Sequence, residues 1–142
     1  MNERLEWRLD DLRNKYHTLD PFHIIEMCNI DLKYVPFVGG TLGLYRKVLG
    51  DPTIFLSDKL IDSPERYFVA SHELCHALEH ENIAGFYTLN ERSRSKLENE
   101  ANAFATSLCY SLYVEEHGDH SFTIEDLQRE YGVPTSLSEI FL

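Results

Sequence analysis

Positive charge is scarce in this chain of 142 residues: 13 Lys and Arg stand against 24 Asp and Glu, for a formal net charge of −11 at pH 7. Direct binding to nucleic acid needs a basic footprint, and this balance argues against it. Cysteine is scarce as well. Cys28, Cys75 and Cys109 are odd in number and have no close pairing, which argues against a disulfide framework and predicts a reducing, cytoplasmic setting. No apolar stretch approaches the length of a membrane span, so no membrane partner is expected. Met1-Asn2-Glu3-Arg4 opens a polar, acidic segment without the basic start and apolar core of a signal peptide. Internal repeats and low-complexity linkers are absent too. What is left is a globular composition, 43% hydrophobic, long enough for a real core and predicted to form one domain over residues 1–142.

Hydrophobic spacing organises that domain. Leu5, Leu9, Leu12 and Tyr16 mark an amphipathic first helix, and Asp20-Pro21 opens a second through Ile24, Ile25 and Cys28. Leu32–Phe37, Thr41–Val48 and Thr53–Leu56 read as short strands, the last two joined at Gly50-Asp51. Later come Thr123–Tyr131, the break Gly132-Val133-Pro134 and a short final segment to Leu142. The expected class is therefore α+β, mostly helical, with a small three-stranded sheet.

The chemistry lies in His72-Glu73-Leu74-Cys75-His76. On an α-helix, positions i and i+4 lie on one face, so both imidazoles can reach a single ion while Glu73 approaches a water beside it. This is the H-E-x-x-H arrangement of zinc peptidases, with His72 and His76 as ligands and Glu73 as general base. The flanks supply the helix, placed at about residues 63–81. Ser63 suits the N-cap, Pro64 the first helical position, and Glu65 the first turn. Tyr67, Phe68, Val69, Ala70, Leu74, Ala77 and Leu78 give apolar helical spacing, and Asn82 and Gly85 are stop signals.

Catalytic zinc typically has three protein ligands and one open position. A third His close behind the motif is absent, because Glu79 and Asn82 stand where the longer H-E-x-x-H-x-x-G-x-x-H pattern needs Gly and His. His80, eight residues past His72, would lie about 12 Å further along a straight helix, too far to share the ion. It reads as a partly exposed histidine or one that supports a ligand. His17, His23, His117 and His120 have no partner at ligand spacing. The better candidates are acids on the next helix, at about residues 91–115. There Leu97, Ala101, Phe104, Ala105 and Leu108 form an apolar stripe. Glu98 shares its face with Ala101, Asn102 and Ala105, small enough to allow a close approach, whereas Glu100 faces roughly the opposite way. Glu98 is the preferred third ligand, with Glu100 the alternative; ordinary surface charge is the other reading for both.

His72-Glu73-Leu74-Cys75-His76-Ala77-Leu78-Glu79-His80, followed by Glu98-Asn99-Glu100-Ala101-Asn102-Ala103-Phe104-Ala105, resembles the ImmA/IrrE group of metallopeptidases. That group commonly shows H-E-x-G-H-x-x-x-H and then E-x-E-A-N-x-F-A. Glu65 to Ser71 is also similar to the family's approach to its first histidine, and a looser match runs from about Asp20 to Ser111. The resemblance implies a compact zincin-like domain with zinc held by His72, His76 and an acid of the second block. By analogy with peptidases of the Glu-ligand type, that acid would be Glu98, with Asn102 supporting one histidine. Two departures stand out. Cys75 replaces the usual Gly and reads as a compact buried residue, with a reactive or ligating thiol the less favoured reading. Cys109-Tyr110-Ser111-Leu112 stands where a Leu-Leu-Met-Pro-like ending is common, which leaves the path after Leu112 open.

The kinship further implies a protein substrate, a helix-turn-helix transcriptional repressor whose cleavage relieves repression in prophages or mobile elements. No DNA-binding domain fits into this chain beside the peptidase, so the repressor would be a separate protein. Two other readings are a non-cleaving antirepressor or adaptor built on the same fold, and a general housekeeping peptidase. Tyr67, Tyr87 and Tyr110 are within sequence reach of the site, but none is singled out to stabilise an oxyanion.

Overall fold

Each helix is delimited by the chemistry of its ends. The computed structural model describes residues 2–81, 91–118 and 122–142. In it α1 spans Glu3–Tyr16, where Asn2 Oδ1 accepts from the Leu5 N–H at 2.8 Å and Glu3 and Glu6 sit in the first turn. Its last turn closes on His17 in the left-handed region (φ 59°). Leu9 and Leu12 are buried, with Leu5 and Tyr16 packed beside them, while Trp7 on the other face is exposed. Helix α2, Pro21–Met27, starts as its sequence predicts: the Asp20 carboxylate accepts from the Phe22 N–H at 2.9 Å and Pro21 occupies the first turn.

Three strands follow: β1 at Asp31–Val35, β2 at Gly43–Val48 and β3 at Asp51–Ser57. Their spatial order is β1-β3-β2, with β3 parallel to β1 and antiparallel to β2. The strands differ from expectation at their ends. Pro36, with no N–H to donate, follows the last residue of β1, which stops at Val35 rather than Phe37. The turn between β2 and β3 is Leu49-Gly50, not Gly50-Asp51. Both residues have positive φ (53° and 86°), the geometry of a two-residue hairpin whose twist matches its strands. Asp51 and Pro52 thus join β3 and pair with Val48 and Lys47. Pro52 is tolerated in the central strand because β1 pairing begins only at Thr53.

After a short 3-10 turn, Asp58–Leu60, α3 spans Glu65–Cys75. The N-cap is Pro64 rather than the expected Ser63, whose hydroxyl, one residue earlier, accepts from the Glu65 N–H at 3.2 Å while its carbonyl accepts from the Arg66 N–H at 3.1 Å. The expected helix to residue 81 is α-helical only as far as Cys75 and continues as a single π-turn, His76–His80. Asn82 and Gly85 lie outside the described residues. Helix α4 spans Glu91–His117, and Leu97, Ala101, Phe104, Ala105 and Leu108 are all buried, as their spacing requires. Then come α5, Ile124–Tyr131, and α6, Thr135–Phe141.

Helix α3 is central. Phe68, Val69, Ala70, Leu74 and Cys75 are buried in one cluster with residues of α1, α2, β3, α4 and α5, and Ser71 is buried too. The chain is α+β, with the sheet beside the H-E-x-x-H helix. One junction is sterically exacting. Gly132 caps α5 at φ 69°, and a Cβ there would lie 2.2 Å from Glu65 Cα at the start of α3. Gly132→Ala is expected to cost roughly 2–5 kcal/mol from strain and overlap together. Gly50→Asn, at an open turn position that Asn tolerates, is expected to cost less than about 1 kcal/mol. Urea unfolding of both variants measures the difference.

Candidate metal centre

Helix α3 delivers two imidazoles to one place. His72 lies in its last turn and His76 opens the π-turn, with ring centroids 4.9 Å apart and Nε2 atoms 3.3 Å apart. Helix α4 brings Glu98 to the same point. Its Oε2 lies 2.9 Å from His72 Nε2 and its Oε1 3.1 Å from His76 Nε2. One ligand atom from each of these three residues lies within 4.8 Å of the others, the only such grouping among the described residues. Two imidazole nitrogens and a carboxylate oxygen are a donor set that fits zinc, with the remaining side facing a cleft of about 590 Å³.

Around this point the polar groups are interlocked. Asn102 lines the cleft together with His72. Burial by itself pulls His72 down. The Glu98 hydrogen bond, with the charges of Glu73 and Glu98, outweighs it and raises the pKa, and Asn102 adds to the upward pull. Glu73 is buried, its Oε2 3.9 Å from His72 Nε2. Burial pushes its carboxyl above the usual carboxylate range and Glu98 adds to this, while the two histidines and a hydrogen bond from the Tyr45 N–H pull it back.

Two features went unread in the sequence. Gly43, at the start of β2, abuts the site: a Cβ there would lie 2.6 Å from Val69 Cγ1 and 3.1 Å from Glu73 Cγ. A glycine inside a strand was the available signal, because it marks close approach by another group. Tyr45 lines the cleft and holds Glu73 through its backbone, which no side-chain pattern could reveal. Its hydroxyl is pushed up to about 12 by burial and then by the Glu81 charge.

Glu100 corrects the expected picture. It does not face away from α3; its Oε2 lies 2.9 Å from His80 Nε2. His80 itself is buried rather than partly exposed, and its Nδ1 lies 2.9 Å from His76 Nδ1. Burial lowers the His80 pKa against the opposing effect of Glu100. The π-turn re-aims His80, which is why a straight-helix projection misplaced this pair. His17, His23 and His117 are exposed and outside the cluster, and His120 and Tyr87 lie outside the described residues. Tyr67 packs edge-on against Phe22 and Tyr131, and Tyr110 against Phe122; neither lines the cleft. Cys75 is buried, its thiol pushed up to about 12 by burial, in keeping with an inert packing role.

Fold and donor set together describe a metallopeptidase-type hydrolase. The peptidase M78 family, described as the IrrE N-terminal-like domain, matches residues 26–141. The chain is also 32% identical over 133 residues to "Uncharacterized immunity region protein 2" of Bacillus phage phi105, which covers 91% of this chain and 83% of that relative. The chain belongs to the ImmA/IrrE family of metallopeptidase-type proteins. No helix of the described residues is long and apolar enough to cross a membrane.

Gly43→Ala is expected to displace Val69 and Glu73 and to destabilise the fold by about 1–3 kcal/mol, measured by urea unfolding. An unchanged midpoint would mean that β2 retreats from α3 without cost.

Proposed function

We propose that this protein is a zinc-dependent endopeptidase whose substrate is a separate helix-turn-helix repressor. His72, His76 and Glu98 hold the ion, and Glu73 is the general base. The observation that carries this reading is the convergence of those three ligand atoms beside a buried carboxylate at the wall of a cleft. When bound, zinc supplies Lewis acidity, acidifying water towards neutral pH and polarising the scissile carbonyl. Glu73 takes a proton from the attacking water and passes it to the leaving amine. Its burial serves that task, since a raised pKa makes the carboxylate a stronger base. Asn102, beside His72 in the cleft lining, supports that ring. The whole chain acts as one catalytic domain in the cytoplasm, where repressors work.

The printed name of the phage relative, an immunity region protein, supports a role in the control of phage repression. A non-cleaving adaptor is the second reading. Glu73 weighs against it, because binding alone does not require a base buried beside a metal centre.

Glu73→Gln is expected to keep zinc while lowering cleavage by roughly 10²–10⁴-fold. His72→Ala, His76→Ala and Glu98→Ala are expected to lose both zinc and activity. Metal content by mass spectrometry and a gel assay on the repressor encoded beside this protein, with and without chelator, check these outcomes. A cut that chelator abolishes supports the peptidase; a stable complex with no cut supports the adaptor.

A further inference from the structure

The metal centre leaves one buried cluster unexplained: His76, His80 and Glu100. His76 Nε2 faces Glu98 and His72, while Nδ1 on the other side of the ring lies 2.9 Å from His80 Nδ1. His80 Nε2 in turn lies 2.9 Å from Glu100 Oε2. Proton accounting from Glu100 inward fixes the Nδ1 side of His76, whose Nε2, 3.1 Å from Glu98 Oε1, is a donor without metal and a ligand with it. An ionised carboxylate only accepts, so His80 Nε2 must donate. A neutral imidazole carries one N–H, so His80 Nδ1 is bare and accepts. His76 Nδ1 must therefore carry the proton that bridges the two rings. With Nδ1 protonated, loss of the Nε2 proton leaves the lone pair that a metal ligand requires.

We propose that His80 and Glu100 form a two-step hydrogen-bond relay that fixes the tautomer of His76 and aims its Nε2 at the metal centre. Neither residue belongs to the group that converges on that centre, so both are positioning residues. The usual device is a carboxylate or carbonyl bonded directly to a ligating histidine. Here one imidazole is inserted between them. The π-turn His76–His80 makes the insertion possible by holding the two rings with centroids 5.1 Å apart. His80 is only 5% exposed, so bulk water cannot substitute for its two partners. His76 is thus secured from α4 at one remove, by Glu100 through His80.

This inference rests on the metal-site reading above, and its test separates the two. In the metal-free full chain, long-range 1H–15N correlation NMR is expected to show a His76 proton on Nδ1 and the His80 proton on Nε2. A His76 Nδ1 without a proton, or a His80 proton on Nδ1, overturns the relay whatever the protein does with zinc. His80→Phe and Glu100→Ala are expected to weaken zinc binding by about 10–100-fold in competition with a chromophoric chelator. His80→Gln, whose carbonyl can accept from His76 while its amide donates to Glu100, is expected to recover most of that loss. A folded His80→Phe protein with full zinc affinity also overturns the relay. Unaltered zinc binding by His72→Ala would instead sink the metal-site reading, leaving the tautomer result to stand alone.

Discussion

The closeness of α3 and α4 is the constraint on which the site depends. Two imidazoles on one helix can meet a carboxylate from another only if the backbones approach within the usual packing distance of about 8–10 Å. Small buried residues line both helices: Ala70 and Ser71 on α3, Ala101, Ala105 and Cys109 on α4. Ser71 Oγ and Cys109 Sγ are 3.9 Å apart. Leu74 and Leu108, both fully buried, add apolar area to the same core. Packing and chemistry are inseparable here, because a residue that widened this interface would also withdraw Glu98 from the histidines.

A second constraint is electrostatic. An ionised group out of water costs several kcal/mol unless it finds partners. The fold answers with reciprocal pairing. Glu73 lies against β2 at Gly43, His72 meets Glu98, and His80 meets His76 and Glu100. That network spans β2, α3, the π-turn and α4, and it holds each donor in one orientation. Preorganisation of this kind matters for catalysis, since groups already placed need not reorganise as the reaction proceeds. The close fit of Gly43 against Val69 and Glu73 belongs to the same design: β2 can bring its backbone to Glu73 only where no side chain intervenes.

Much of this was legible beforehand, for local reasons. Asp20-Pro21 and Ser63 mark helix starts because each side chain bonds an N–H two residues on. Glu98 was separable from Glu100 because only Glu98 shares a face with Ala101, Asn102 and Ala105, and it is Glu98 that meets His72 and His76. The same periodic reasoning failed for Glu100 and His80. It assumes a regular helix, and the π-turn breaks that assumption just where the second pair meets. It also failed at the hairpin, since Leu49 is a poor residue for positive φ and concealed the true turn.

By itself, then, the sequence determined the helical frame, the class of metal donor and the residues able to supply it, because helix periodicity and side-chain chemistry are properties of short segments. Only the tertiary structure decided which edge of the sheet faces Glu73, that Gly43 must be bare, and that His80 turns inward to link His76 with Glu100. Those outcomes come from groups far apart in the chain competing for one buried volume, and no local pattern encodes that competition.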